Sequence, residues 1–326
     1  AARSAEHLGF LADEIPEAVA AQVEELLGVI LTLAQPREES TQLDTDAGLP
    51  PALRELERMN RRVQRHKRVR DLAEAIGRCA RTSADTVLTP VRALFAATTG
   101  DDDHDRAARL ALLQILEAAV SAETLRDVLP MAYTALCHTD PVVRRGGIGL
   151  WAACAHVADT LPAELTELSV ALIEDTYVIV HSAMLDKIPE LKLPDELAPR
   201  LLPKVAGWIA TYSQPQQMEQ HPDVLASALS SMHLLARRLP DGQQTTQWLA
   251  FALAYVPRCH PHDRERLLSA WWPTELKNHP AWVQAALATA ASPDLIDYYN
   301  SRREPLLQAL FDQPYLLRAR TEITWL

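Results

Sequence analysis

Glycine, cysteine and long apolar runs are scarce in this chain, and each shortage excludes a class of protein. Glycine occurs 10 times in 326 residues, and the motifs Gly-Lys-Ser/Thr, Gly-x-Ser-x-Gly and His-Glu-x-x-His are absent. The four cysteines include no Cys-x-x-Cys pair and no other metal-type spacing. We therefore expect free, mostly buried thiols in a reducing compartment, no cofactor and no catalytic activity.

The chain also lacks a membrane-spanning stretch and a positive net charge. The longest clean apolar run, residues 26–34, is too short to cross a bilayer, and no signal peptide is present. A net charge of −11 makes the average surface repel nucleic acids and anionic membranes. These features predict a cytoplasmic protein that does not bind membranes. Because the chain begins with Ala1 rather than Met, we expect a processed protein or, preferably, a segment of a longer one.

The remaining composition predicts an all-α fold in which proline marks where helices begin. Pro occurs 22 times, and it suits the first position of a helix because its missing N–H is not needed there. Tetrapeptides of Pro, small or acidic residues and then an apolar one predict helix starts at Pro162, Pro194, Pro222, Pro280 and Pro293. The predicted helices span 16–35, 51–82, 84–98, 103–120, 123–138, 141–159, 163–174, 176–190, 194–212, 222–239, 243–257, 262–271, 280–290 and 293–311. Only residues 321–326 suggest a strand.

Three aspartates recur at a fixed interval in the middle of the chain. Asp105, Asp140 and Asp175 lie 35 residues apart, and each precedes or begins a predicted helix. A period of this size is typical of stacked helical units that each contact only their neighbours. We therefore expect these aspartates to cap helices rather than to form a catalytic set.

The segment Asp140-Pro-Val-Val-Arg resembles the start of the second helix of a HEAT repeat, with armadillo repeats a close relative. In that pattern the Asp caps the helix, the Val three residues later packs inward and the following Arg reaches across the repeat; Asp140, Val143 and Arg144 match it. The stretches at Asp105 and Asp175 match in part. The resemblance covers about residues 103–190. It implies a right-handed α-solenoid of antiparallel helix pairs that acts as a scaffold or recognition surface. In bacteria such arrays are often joined to nucleotide-dependent or effector domains.

Two regions of different character are predicted. Residues 1–100 form an N-terminal helical segment with an acidic loop at 36–50 and a long basic helix at 51–82. Residues 101–326 hold the HEAT-like repeats and become irregular towards the C-terminus, beginning with the Gln-rich stretch 212–221.

A dense basic run within the predicted helix 51–82 is the sharpest local feature. It consists of Arg61, Arg62, Arg65, Lys67, Arg68 and Arg70. Such density can bind phosphates through counterion release, although no aromatic residue is interleaved for base stacking. It can equally bind an acidic patch of a protein. The third interpretation is a solvated face neutralised by the preceding chain, because residues 1–60 hold twelve acidic residues against four arginines, a net of −8.

Several smaller features have both a functional and a structural interpretation. The segments 101–105 and 259–263 contain metal-ligand residue types, but a helix start and an inter-helix turn explain them as well. Trp271 and Trp272 can anchor a partner or pack between repeats. The pair Gly146-Gly147 is expected to allow close helix packing. The candidate inner-face contacts are Arg144, Arg145, His156 and His181.

These observations predict a non-enzymatic scaffold or recognition module of a larger assembly, with a protein as its partner. Nucleic-acid binding through Arg61–Arg70 is the alternative. A minor alternative follows from the resemblance, because HEAT-like folds include DNA glycosylases, in which Trp151 and either Asp140 or Asp175 would be the working residues.

Overall fold

A computed structural model describes residues 16–35, 51–100, 102–160 and 162–260, with a few single residues on either side. Every regular element in these ranges is a helix, and no strand occurs among them. The α-helices are α1 (Pro16–Ala20), α2 (Val23–Ala34), α3 (Pro51–Cys79), α4 (Ala84–Ala97), α5 (Asp103–Ala119), α6 (Leu125–Leu136), α7 (Pro141–Val157), α8 (Ala163–Ile173), α9 (Val178–Lys187), α10 (Ala198–Tyr212), α11 (Pro215–Gln220), α12 (Pro222–Ala236) and α13 (Gly242–Tyr255). Short 3₁₀ turns at Asp195–Leu197 and Val256–Arg258 adjoin α10 and α13. The all-α prediction is confirmed for this part of the chain.

Proline marks several helix starts as predicted. Pro141 and Pro222 are the first residues of α7 and α12. Pro90, Pro130 and Pro203 instead lie inside helices. The predicted helix 16–35 is interrupted by a turn at 21–22, and the Gln-rich stretch contains the unpredicted α11. The predictions for 36–50, 262–271, 280–290, 293–311 and 321–326 fall outside the described residues.

The chain divides into two compact units, residues 1–165 and 166–326. The boundary predicted at residue 100 falls within the first unit, between α4 and α5. In that unit α3 packs on α5, and α5 packs on α7, while α4 and α6 pack against α5 and α7 respectively. The buried side chains at these contacts include Leu72, Ile76, Leu112, Ile115, Leu116 and Leu150.

Two glycines allow the helices of the first unit to approach closely. A Cβ on Gly77 of α3 would lie 2.5 Å from the carbonyl oxygen of Ile115 and 2.5 Å from Cβ of Ala118 in α5. A Cβ on Gly147 of α7 would lie 2.9 Å from Cβ of Ala135 in α6. The expectation that Gly146-Gly147 permits close packing is thus confirmed, whereas the role of Gly77 was not predicted.

The second unit is organised around α12. The helices α9, α10, α11 and α13 all pack against it, and its buried residues are Val224, Leu225, Ala226, Ala228, Leu229, Ser231, Met232, His233, Leu235 and Ala236. Helix α10 also binds the end of α8, because the indole N–H of Trp208 donates to the carbonyl of Ile173 at 2.6 Å. The guanidinium of Arg200 binds the Glu167 carboxylate with two hydrogen bonds of 2.9 and 3.0 Å.

The three periodic aspartates have different structural roles. Asp140 caps α7 as predicted, with its carboxylate accepting the N–H of Val142 at 2.8 Å. The prediction is wrong for Asp105, because Asp102 caps α5 and Asp105 lies inside the helix, where it accepts the N–H of Gly100. It is also wrong for Asp175, which accepts the N–H of Tyr177 before α9 begins and is not its N-cap. The acidic first turn expected at 101–105 is confirmed by Asp103 and Asp105, which follow the N-cap Asp102.

Candidate functional site

The long helix α3 has two opposite faces in its second half. Its buried face consists of Val69, Leu72, Ala73 and Ile76. Residues separated by three or four positions line up along a helix. This spacing places Met59, Val63, Lys67 and Arg70 along one stripe on the other side. We call this stripe the outward face of α3.

Met59 and Val63 give the outward face an apolar end. Met59 is 54% exposed and Val63 is 57% exposed, although both are large apolar side chains one helical turn apart. Adjacent exposed apolar side chains with charged neighbours can form part of an interaction surface. The sequence predicted a basic run in this helix. When the residues are placed on a helix, exposed apolar residues lie on the same face as some of these cations.

The helical period also separates the cations of the basic run. Arg65 is half-buried and donates to the backbone carbonyl of Gln35 at 3.3 Å. Arg68 is half-buried as well, and its Nε has no hydrogen-bond partner. The side chains of Arg61 and Arg62 lie outside the described part of the chain. The run is therefore not one continuous basic surface among the residues described.

Lys67 and Arg70 are the cations of the outward face. Lys67 is exposed and forms no ion pair with the described part of the chain. The Nε of Arg70 lies 3.7 Å from the Glu74 carboxylate and 4.0 Å from that of Asp71. The acidic partners found for Arg70 follow it along the helix. Most acidic residues of 1–60, which one interpretation of the sequence expects to neutralise the run, lie outside the described part of the chain.

The other predicted contact residues are dispersed. Arg144 binds the carbonyls of His138 and Thr139, at 2.8 and 2.7 Å, in the turn before its own helix. Arg145 and His156 are exposed on α7. Trp271 and Trp272 lie outside the described residues. His181 is only 1% exposed, so the prediction that it contacts a partner is wrong.

His181 instead forms the centre of a buried aromatic cluster in the second unit. Its Nδ1 lies 2.9 Å from the carbonyl oxygen of Asp175, and its Nε2 lies 2.6 Å from the hydroxyl of Tyr212. Because a carbonyl only accepts, Nδ1–H donates to it and Nε2 accepts from the tyrosine hydroxyl. The imidazole stacks on Trp208 with ring centroids 4.0 Å apart and planes 9° apart. Burial lowers the pKa of His181 below its ordinary value, so the arrangement holds a neutral histidine.

No protein-family model, curated protein or solved structure matches this chain. The resemblance to HEAT repeats therefore stays a prediction, and the packed helices are compatible with it.

The sheltered state of His181 predicts that the second unit loses stability in mild acid. A histidine whose pKa is lowered by folding stabilises the fold fully above its unfolded value of 6.5, and this contribution is lost as the pH falls below that value. We expect the free energy of unfolding to decrease between pH 7.5 and pH 5.5, because the unfolded chain takes up a proton at this histidine that the folded chain disfavours. Urea denaturation at the two pH values, followed by hydrogen exchange in α9 and α10, measures it.

Two variants separate His181 from other titrating groups. His181→Gln should reduce the pH dependence, although it lowers stability at every pH. His156→Gln, at an exposed position of the first unit, is the control for the substitution itself. An identical pH dependence in wild type and His181→Gln would contradict the assignment.

The described residues hold no group of three or more His, Cys, Asp or Glu arranged to bind a metal ion. Asp102 caps α5, and Asp103 pairs with Arg106. Cys259 is buried, and all four cysteines are free, with only Cys137 exposed. Within the same residues, no helix combines the length and apolar character needed to cross a membrane.

The residues named for the glycosylase alternative are engaged in the fold. Trp151 is fully buried in α7. Asp140 caps that helix and receives a hydrogen bond of 2.5 Å from Nε of Arg106. Asp175 holds the turn before α9.

Proposed function

We propose that this chain is a non-enzymatic, HEAT-like α-solenoid module that binds another protein through the outward face of α3, as the scaffold or recognition part of a larger assembly. Polar contacts between residues about one period apart support the repeat architecture. Arg92 pairs with Asp127, 35 residues later, at 3.0 Å. Arg106 pairs with Asp140 across 34 residues, and Trp208 binds the carbonyl of Ile173 across 35.

The exposure of Met59 and Val63 carries the proposal that the module binds a protein. Full burial of a large apolar side chain is worth roughly 1.5–3 kcal/mol. Because Met59 is 54% and Val63 is 57% exposed, a partner that covers them gains about half of this energy from each. The same helix anchors its second half firmly in the core through Leu72 and Ile76, so the exposed half is held on a fixed support.

Charging the apolar end should abolish partner binding. In the double variant Met59→Glu, Val63→Glu we expect the affinity for the natural partner to fall by about tenfold or more, because buried apolar anchors of interfaces are worth about 2 kcal/mol each. Quantitative affinity capture from cells that naturally make the protein, using the immobilised full chain, gives the measurement. The helical circular dichroism of the variant should be unchanged, since both positions are exposed.

Val29→Glu is the matched control. Val29 is also an exposed large apolar residue of the first unit, but it lies on α2. Proteins captured by wild type and Val29→Glu, but lost with the double variant, support the proposal. If no protein depends on the outward face, or if the purified chain turns over a substrate without any partner, the proposal is lost.

Phosphate binding through Arg61–Arg70 is the second candidate, and the exposed Lys67 and Arg70 are the observation that favours it. It predicts salt-dependent binding of DNA or RNA that is lost in Lys67→Glu, Arg70→Glu and retained in Met59→Glu, Val63→Glu. An unchanged filter-binding curve for the Lys67, Arg70 variant would remove this candidate.

A further inference from the structure

The outward face of α3 is polar at one end and apolar at the other. Met59 and Arg70 are eleven positions apart, so the face is about 16 Å long at 1.5 Å per residue. Met59 and Val63 form its apolar end, and Lys67 and Arg70 form its cationic end. Glu74 lies on the same stripe one turn beyond Arg70 and closes the cationic end. The face therefore has a direction and a defined length.

We propose that this face binds an acidic amphipathic helix of the partner protein, an inference that rests on the proposed function. The partner helix carries two apolar residues one turn apart, which cover Met59 and Val63. Its carboxylates lie about 12–16 Å from the start of the apolar contact, where Lys67 and Arg70 receive them. Packing of one amphipathic helix along another is an established mode of peptide recognition.

The cations of the face determine the charge of this partner. Lys67 is exposed on this face, so a carboxylate of a partner can reach its ammonium group. Arg70 lies 3.7 and 4.0 Å from its neighbouring carboxylates, which is longer than a hydrogen bond and leaves its N–H donors able to turn to a partner. A basic helix would meet these two cations with like charge, which is destabilising at an interface.

The net charge of the whole chain restricts where an acidic partner can bind. At −11 the chain repels an acidic partner over most of its surface. The outward face combines exposed cations with exposed apolar residues, so an acidic amphipathic helix is attracted there and discouraged elsewhere. Complementarity of this kind contributes more to the specificity and rate of association than to affinity.

The apolar end distinguishes a protein helix from a nucleic acid. Met59 is unbranched and polarizable, so it adapts to the apolar side chains of a partner. A phosphate backbone offers no apolar surface for Met59 and Val63, and α3 contains no Phe, Tyr or Trp on which a base could stack. A nucleic acid would therefore use only the cationic half of the face.

A displayed library of random peptides, selected on the full chain and counter-selected on Met59→Glu, Val63→Glu, tests the inference. We expect the recovered peptides to be acidic, with two apolar residues three or four positions apart. Synthetic copies, measured by fluorescence anisotropy, should bind about tenfold or more weakly to Lys67→Glu, Arg70→Glu, and more weakly as salt increases. Binding to Val29→Glu should equal that to wild type.

The outcomes separate this inference from the proposed function. Peptides that need Met59 and Val63 but show no acidic preference, or that bind the Lys67, Arg70 variant unchanged, overturn the acidic partner and leave protein binding intact. Recovery of no peptide that depends on the outward face counts against both. Competition by short single-stranded DNA that survives Met59→Glu, Val63→Glu assigns the face to nucleic acid.

Two other occupants of the face would also overturn the inference. If the Met59, Val63 variant converts a dimer to a monomer in light scattering, the occupant is a second copy of the chain. If peptide binding strengthens when the four acidic residues of 36–50 are replaced by their amides, the occupant is that segment of the same chain.

Discussion

Gly77→Ala is expected to destabilise the first unit, although alanine is the better helix former. A Cβ at this position would lie 2.5 Å from the backbone oxygen of Ile115 and 2.9 Å from the backbone carbon of Ala118. Backbone atoms within α5 cannot rotate away as a side chain can, so α3 and α5 must separate. Overpacking of this kind costs about 1–3 kcal/mol, and more where the backbone must move. This loss exceeds the gain in helix propensity, which is about 1 kcal/mol.

The same substitution at two other glycines supplies the control. Gly28 in α2 and Gly207 in α10 are exposed, and a Cβ on either meets no atom within 4 Å. Gly28→Ala and Gly207→Ala should therefore stabilise their helices by about 0.5–1 kcal/mol. One chemical change thus has opposite signs at different helix positions, and the only difference is the distance to the neighbouring helix.

Hydrogen exchange measured by mass spectrometry separates the two units in this experiment. The slowest amides of α5 report the stability of the first unit, and those of α10 report that of the second. Gly77→Ala should accelerate exchange in α3 and α5 and leave α10 unchanged. Equal or greater protection of α5 in Gly77→Ala would show that the helices do not approach as closely as described.

The fold was predictable to the extent that local patterns determine helices. Proline placement and apolar spacing located α7 and α12 to within a few residues. Proline suits the first position of a helix, and Pro141 and Pro222 occupy that position. The contact at Gly77 was not predictable, since it depends on which helix lies opposite. Interior prolines such as Pro130 were also not distinguishable from proline at a helix start by local sequence alone.

The candidate site shows the same division between local and tertiary information. The basic run marks α3 as the candidate helix, but a count of cations does not separate Lys67, which is exposed, from Arg65, which reaches back to Gln35. Applying the helical period to Met59 and Val63 could have predicted the exposed pair. His181 could not be assigned from sequence, because its burial depends on Tyr212, which lies 31 residues away on another helix.

Asp140→Ala is expected to have the second large effect, because this residue performs two tasks in the first unit. Its Oδ1 accepts the N–H of Val142 and caps α7, and its Oδ2 accepts a hydrogen bond from Arg106 of α5. The side chain of Asp140 is only 8% exposed. Losing a helix cap costs about 0.5–2 kcal/mol, and a charge-assisted hydrogen bond adds about 1.5–3 kcal/mol, so we expect a loss of about 2–4 kcal/mol. Chemical denaturation of the full chain, with exchange in α5 and α7, measures this loss.

Asp140→Asn separates the cap from the ion pair. Asparagine caps helices about as well as aspartate, so this variant loses the charge and keeps the cap, and its expected cost is about half that of alanine. Asp175→Ala is the period-related control. Since Asp175 is not the N-cap of α9, we expect a cost of less than about 1 kcal/mol. Equal losses for Asp140→Ala and Asp175→Ala would mean that the two aspartates have equivalent roles, against the geometry.

The pH dependence of stability in wild type and in Asp140→Asn gives an independent check on the role of Asp140. Burial alone would raise the pKa of this carboxyl, but the hydrogen bonds from Arg106 and from the N–H of Val142 outweigh it and lower the pKa below the ordinary 3.8. An acid whose pKa is lowered by folding stabilises the native state above its unfolded value and loses that contribution as the pH falls below it. The difference in unfolding free energy between wild type and Asp140→Asn should therefore be constant near neutral pH and shrink below about pH 4. A difference that persists unchanged in acid would show that the charge of Asp140 does not stabilise the contact between α5 and α7.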